Sequence, residues 1–295
     1  MPALPEVGTR VSLRYRLPAG SVPPLSDVVG HLLDVGPIVR VRDKHGDVVT
    51  IAVSDVVSVR PLSAAPVRTS EIRNLEHAAA LAWPGVEQRW LDGWLLRFGL
   101  GSTRRANSAV PLLPSPGMDT AAIADWYATR GVPALLAVPD RLYRPPPGLP
   151  IDGENIVMAR RLTPGPVDPA VALTSHPDDA WSSLHPRQVP LEVLTAVVDG
   201  EVIFATVEGA AVGRGAVTVS PNGTRWAGLS SVHVAEDARR RGLARTVCDG
   251  LLAWAADRGA THAYVQVLAD NTAAIRLYQS MGFGEHHRSR YVSLG

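Results

Sequence analysis

The sequence predicts a mixed α/β chain: a small β-barrel over residues 1–62, then an α/β region built on a mixed central sheet. Three observations predict it. Five short apolar runs separated by turn signals fill the first sixty-odd positions. From Val67 the apolar spacing changes to a helical period. The last third reads as three antiparallel strands followed by helix, strand, helix and strand.

In the first segment the runs are Val7 to Tyr15, Ser26 to Leu33, Ile38 to Arg42, Val48 to Ala52 and Val56 to Val59. Pro23-Pro24, Gly36-Pro37 and Lys44-His45-Gly46-Asp47 separate them as turns, a pattern resembling an SH3-like barrel. Pro61 to Pro66 reads as a linker. A second segment, 67–165, opens with a helix over Ile72 to Trp83, apolar at Ile72, Leu75, Ala79 and Ala82. Strands are expected over Gln88 to Phe98, Ser108 to Leu113 and Pro133 to Val138, with a helix over Asp119 to Arg130 closed by Gly131. Arg144 to Pro150 (RPPPGLP) excludes regular structure.

The third segment, 166–295, begins with the end of a helix over Leu191 to Val198. Strands follow over Val202 to Glu208, Ala211 to Ser220 and Arg225 to Val234, the last two joined by the hairpin signal Pro221-Asn222-Gly223. A helix from Gly242 to Arg258 closes at Gly259; a strand, Ala263 to Leu268, leads to a helix, Asn271 to Met281, closed by Gly282. His286 to Ser293 is the final strand.

Composition narrows the function. A hydrophobic share of 46% with 19% charged residues is that of a globular chain. No apolar run reaches the length of a membrane helix, and the first ten residues hold no apolar signal core. A net charge of +1 provides no field for nucleic acid or membranes. One cysteine, Cys248, excludes an internal disulfide and a Cys-rich zinc site, so a cytoplasmic location and no metal are expected. Arginine dominates the basic residues, Lys44 being the single lysine.

Two motifs carry the chemistry. Val232-His233-Val234 ends a strand, and Arg239-Arg240-Arg241-Gly242-Leu243-Ala244 turns into a long helix with the form R-x-x-G-x-A. Glycine lets backbone N–H groups approach a ligand, and a helix N-terminus offers unpaired donors and positive potential, which suits a pyrophosphate. Alone, three arginines before a helix read more readily as a solvated basic turn. At the next strand-to-helix junction, however, Asn271, Ala274 and Tyr278 lie at i, i+3 and i+7 on one helix face, with Asn271 a good N-cap.

This pair of motifs, R-x-x-G-x-A and N-x-x-A-x-x-L-Y-x-x-x-G-F, resembles the GNAT superfamily of acetyltransferases over residues 167–295. The whole chain is similar to actinobacterial GNAT proteins with an N-terminal SH3-like extension. The resemblance implies a GNAT fold and acetyl-CoA as cosubstrate. Val232 and Val234 would bond the pantetheine arm through their backbone, the amides of Arg239 to Ala244 would hold the pyrophosphate, and Asn271 would contact the arm. Tyr278 would stand beside the thioester sulfur and protonate the leaving thiolate. An amine would attack directly, the oxyanion meeting the Val234 N–H. Ala244 replaces the second glycine of the family's commonest loop, which suits a helical first turn.

No motif marks the general base; Glu208, His233, His286 and His287 are candidates. Cys248 reads as packing. The middle segment echoes the last: Asn107 to Val110 resembles Ser230 to His233, Trp126 with Arg130-Gly131 resembles Trp254 with Arg258-Gly259, and Asp140 to Tyr143 resembles Ile275 to Tyr278. Its loop, Pro111 to Met118, lacks the R-x-x-G-x-A form, so it reads as a degenerate GNAT-like half that helps shape the acceptor pocket through Trp94, Arg105 or Asn107. The expected partners are a small-molecule or exposed amine acceptor and a second copy in a homodimer, with no nucleic acid or membrane. The competing function is a non-catalytic CoA-sensing or interaction protein.

Overall fold

Buried and exposed residues alternate along the first strands, as a sheet with one covered face requires. The computed structural model describes residues 4–43, 45–62, 67–117 and 119–295; Lys44, the 63–66 part of the expected linker and Met118 lie outside them. The chain forms two units, Met1–Pro66 and Val67–Gly295. In the first, β1 (Arg10–Arg16), β2 (Leu25–Val35), β3 (Ile38–Asp43), β4 (Val48–Ala52) and β5 (Val56–Pro61) form one antiparallel sheet in the order β4-β3-β2-β1-β5. Val11, Leu13, Val28, Leu32, Val39, Val41 and Ile51 make its core. Pro61 therefore ends a strand rather than opening a linker.

The second unit contains α1 (Thr69–Ala82), β6 (Glu87–Leu91), β7 (Trp94–Phe98), β8 (Val110–Pro111), α2 (Thr120–Ala128), β9 (Leu135–Pro139) and β10 (Ile151–Arg161). It continues with β11 (Val171–Thr174), α3 (Asp179–Leu184), α4 (Leu191–Thr195), β12 (Glu201–Val207), β13 (Ala211–Val219) and β14 (Arg225–Val234). Last come α5 (Leu243–Asp257), β15 (His262–Leu268), α6 (Thr272–Ser280) and β16 (Gly284–Ser293). The expected single strand over 88–98 is a hairpin, because Asp92 and Gly93 both adopt positive φ (44° and 84°) and turn the chain. The strand expected over 108–113 shortens to Val110–Pro111.

An eight-stranded sheet runs β11-β12-β13-β14-β15-β10-β16-β9, and β6-β7-β8 form a smaller antiparallel sheet. Ala109 joins the two by pairing in parallel with Leu136, with bonds Ala109 N to Leu135 O of 2.9 Å and Ala137 N to Ala109 O of 2.8 Å. The order is close to a palindrome. Strands β6 to β9 and β12 to β15 follow the same plan of three antiparallel strands, a helix and a parallel strand. Each set then receives the other's last strand: β10 pairs with β15, and β16 pairs with β9.

The middle segment's strand-like tail is β10, and its central position corrects the expected division at 165/166. It lies between β15 and β16, so segments 67–165 and 166–295 share one sheet and one unit. The core packs α5 on this sheet through Val247, Cys248, Leu251 and Leu252. Gly213 of β13 permits that contact, since a Cβ there would lie 2.5 Å from Val247. Burial pushes the Cys248 thiol up to about 12, so it is an inert packing group. No helix among the described residues is long and apolar enough to cross a membrane.

Candidate functional site

The site opens where two strands part. β14 and β15 pair in parallel only from Trp226↔His262 to Leu229↔Val265. Beyond that point, between Ser230–His233 and Gln266–Leu268, lies a cavity of about 430 Å³. A β-bulge helps part them: the register of β14 against β13 shifts between Val212 and Arg214, and Ser231 opposite takes a left-handed φ of 54°. Below the bulge the ladder alternates. Ala235 N donates to Ala210 O at 2.8 Å, which makes His233↔Val212 the next bonded pair and turns the Val232 carbonyl and Val234 N–H away from β13.

Of the residues singled out from sequence, Val232, His233, Asn271 and Tyr278 line this cavity. Val234, Arg239, Arg240, Arg241, Gly242, Leu243 and Ala244 do not; from Arg239 on they form the turn into α5. Gly242 is its N-cap at φ 84°, without a side-chain cap, and a Cβ on it would meet nothing within 4 Å. The first backbone bonds return from Arg245 and Thr246, so the amides of Gly242, Leu243 and Ala244 are the unpaired donors of the helix start. Arg239 pairs with Glu236 (3.4 Å) and Arg241 with Glu208 (2.8 Å), both on the surface, where such pairs contribute little.

Tyr278 is 7% exposed and packs edge-on against Phe283 at 5.7 Å. Burial pushes its phenol far above the usual range, the nearby Cys248 adds to this and Arg105 opposes it. Asn271 caps α6 by accepting from Ala274 N (3.1 Å), which leaves its amide nitrogen for a ligand.

The base candidates separate. Glu208 is tied to Arg241 on the surface. His287 is buried against Glu76 at 2.8 Å, with His286 beside it, and neither lines the cavity. Burial pushes the His286 imidazole down to about 4, with His287 adding to the effect. His233 remains, and sequence reasoning missed a second imidazole, His185. It follows α3, lines the cavity and stacks on Trp181 at 4.8 Å. Its Nδ1 lies 2.8 Å from the Arg187 carbonyl, so Nδ1 carries the proton and donates, leaving Nε2 as an acceptor. Burial lowers its pKa; the charges of Arg187 and His233 add to this, and the Arg187 hydrogen bond opposes it. Trp181 in turn donates to Gly213 O at 3.0 Å, the carbonyl opposite the bulge.

Trp94 and Asn107 are not cavity walls. Trp94 is buried with its indole donating to Gly117 O, and Asn107 braces its own loop by accepting from Gly99 N (2.9 Å) and Gly101 N (3.0 Å). Arg105 does line the cavity, with Trp83, whose indole donates to Ser230 Oγ (3.2 Å).

The two halves echo each other at a helix end and differ at its start. Arg130 lies over Trp126 at 3.7 Å before Gly131 (φ 67°), and Arg258 lies over Trp254 at 4.6 Å before Gly259 (φ 75°). But α2 is capped by Asp119, whose carboxylate accepts from Ala121 N at 3.0 Å, where α5 has a bare glycine. Asp140 to Tyr143 is a turn, not a helix, so the middle half has no counterpart of α6.

Comparison with known proteins agrees with this geometry. Residues 69–292 match the family model described as "Probable histone acetyltransferase Rv0428c C-terminal", and residues 5–60 match "Rv0428c N-terminal Sm-like domain", which corrects the expected SH3-like type. The chain is 50% identical over 294 residues to "Probable histone acetyltransferase Rv0428c" of Mycobacterium tuberculosis, covering 99% of this chain and 97% of that one. It is 27% identical to an "Uncharacterized N-acetyltransferase YobR" of Bacillus subtilis, over 74% of this chain and 97% of the other. A GNAT-family structure from Novosphingobium aromaticivorans, 21% identical, shares the fold over 75% of this chain and 97% of its own with a TM-score of 0.51. The parted strands, the uncapped α5 and the match over three quarters of its length thus coincide, and the chain belongs to the GNAT-like acetyltransferase family of Rv0428c.

Proposed function

We propose that the protein transfers an acetyl group from acetyl-CoA to an amine by direct attack in a ternary complex. The observation that carries this is the opening between β14 and β15, which has unpaired helix amides at its approach and a buried tyrosine in its wall. Acetyl-CoA supplies the activated thioester. The Gly242, Leu243 and Ala244 amides suit its pyrophosphate, since no acceptor among the described residues bonds them. The Val232 carbonyl and the Asn271 amide suit the pantetheine arm, which leaves the Val234 N–H for the reacting end. As the amine nitrogen bonds to the carbonyl carbon, the Val234 N–H receives the oxyanion. His185 Nε2 takes the proton from the amine, and the C–S bond breaks with Tyr278 giving its proton to sulfur.

The test is acetyl-CoA with an amine panel and a thiol reagent. Thiol release that depends on an amine supports transfer. Tight CoA binding with no release under any amine would favour the CoA-sensing alternative. Binding should saturate at one equivalent per chain, because the Asp119 carboxylate already satisfies the start of α2 and Pro114 and Pro116 remove amides before it. Two equivalents would show that the middle half binds CoA.

His185 is tested by pH. A base works only when unprotonated, and burial lowers this imidazole below the ordinary value near 6.5. At saturating substrates kcat should therefore be flat near neutrality and fall as pH drops through a group titrating below that value. His185→Gln should lower kcat by about 100-fold and remove that acid limb. A variant with the limb intact would assign the base to another group, His233 first.

A further inference from the structure

Resting on the acetyltransferase reading, we infer that the acceptor is a small amine that also carries a carboxylate, and that Arg105 is the group that binds it. Among the described residues, the charged side chains lining the cavity are Arg104, Arg105 and Arg187, with the imidazoles of His185 and His233, and no Asp or Glu. Two of the three cations are accounted for differently from the third. Arg104 is held by Asp152 through two bonds of 2.7 and 2.9 Å. Arg187 is exposed at the rim. Arg105 is half-buried, has no ion pair or side-chain hydrogen bond among the described residues, and its Nε is enclosed without a partner.

The surroundings make that lack of a partner costly. Trp83 has Arg105 on one side at 5.8 Å and Arg214 at 4.3 Å, while Arg97 Nη1 donates to the Trp83 carbonyl at 3.4 Å. Arg97 and Arg214 are fully buried and bonded to carbonyls and a serine, not to carboxylates. Burial pushes the Arg214 guanidinium down to about 9; Arg105 adds to this and Tyr264 opposes it. The carboxylate that acts on Arg97, Glu76, is engaged by His287 at 2.8 Å and Gln266 at 3.4 Å. Two guanidiniums over the Trp83 indole and a third on its carbonyl, with no carboxylate paired to any of them among the described residues, leave a positive field at this end of the cavity. A buried charge without a counter-ion is unfavourable, and an incoming anion removes that penalty.

The position fits an acceptor rather than CoA phosphates. The pyrophosphate turn, 239–244, does not line the cavity, whereas Arg105 shares it with Tyr278 and lowers that phenol's pKa. An arginine fork pairs a carboxylate bidentately. A lysine-rich peptide, by contrast, would bring cations to cations here.

The experiment compares free amino acids with their carboxamides, and with a lysine-rich peptide, as acceptors. Calorimetry with N-acetylamino acids and N-acetylamino acid amides, in the presence of CoA, adds a readout independent of turnover. Wild-type protein should prefer acids over amides by about 10- to 100-fold in kcat/KM, the worth of a hydrogen bond to a charged group. Arg105→Gln should erase the preference through KM, Arg105→Lys should keep part of it, and neither should change acetyl-CoA affinity. Equal use of acids and amides by the wild type, preference for the lysine-rich peptide, or loss of acetyl-CoA affinity in Arg105→Gln would each overturn the inference. The wild-type comparison stands even if a variant fails to fold. N-acetylamino acids that bind through Arg105 without any amine being acetylated would keep the anion site and sink acetyl transfer; amine-dependent thiol release without acid preference would do the reverse.

Discussion

Glutamate in place of Gly242 should abolish acetyl-CoA binding while the fold survives. The residue sits at φ 84°, where a side chain costs about 1–2 kcal/mol, so stability falls modestly. A Cβ there meets nothing, and the new carboxylate would extend into the open space before α5. It would then accept the orphan amides itself, as Asp119 does for α2, and repel a pyrophosphate. Each charged hydrogen bond lost is worth about 1.5–3 kcal/mol, so a loss of at least about 100-fold in affinity is expected. Calorimetry beside an unchanged circular dichroism spectrum would show it. Unaltered affinity would remove the turn from the binding site.

Tyr278→Phe should act after binding. The ring stays packed on Phe283, and the hydroxyl has no hydrogen bond among the described residues, so its removal leaves no buried group unsatisfied. We expect kcat to fall on the order of 100-fold with the KM for acetyl-CoA little changed. Burial keeps the phenol protonated well above neutrality, so no basic limb from this group should appear in the working range. Full kcat in the variant would mean that water protonates the sulfur.

The parts of the site legible in the sequence are those whose residues are neighbours in it. Gly242 before a helix, and Asn271, Ala274 and Tyr278 on one helix face, are local patterns that survive folding unchanged. Arg105 is singled out by the sequence only beside Trp94 and Asn107, and His185 not at all, because the cavity gathers them from a loop after β7 and from the end of α3. His185 is selected only by a stacked tryptophan and the carbonyl of Arg187, neither of which has a spacing rule. The same limit hid the place of β10: its apolar run, Ile156 to Met158, reads locally as a strand, but its two neighbours lie more than a hundred residues on, so nothing local makes it central. The hairpin at Asp92-Gly93 did carry a local signal, and apolar residues on both sides concealed it.

The exchange of last strands between the two halves has a consequence in time. β10 emerges early during synthesis, yet Asn155 must wait for Leu268 on one side and Ser289 on the other, roughly a hundred residues later. At about 5–20 residues per second, that interval is on the order of 5–20 seconds. Until then both edges of a strand carrying Ile156, Val157 and Met158 stand unpaired, the kind of edge that recruits other chains. The first half cannot complete its sheet until the C-terminal strand is made, and the second half holds a strand that belongs to the first. Neither is a unit that could be inherited, cut away or folded without the other.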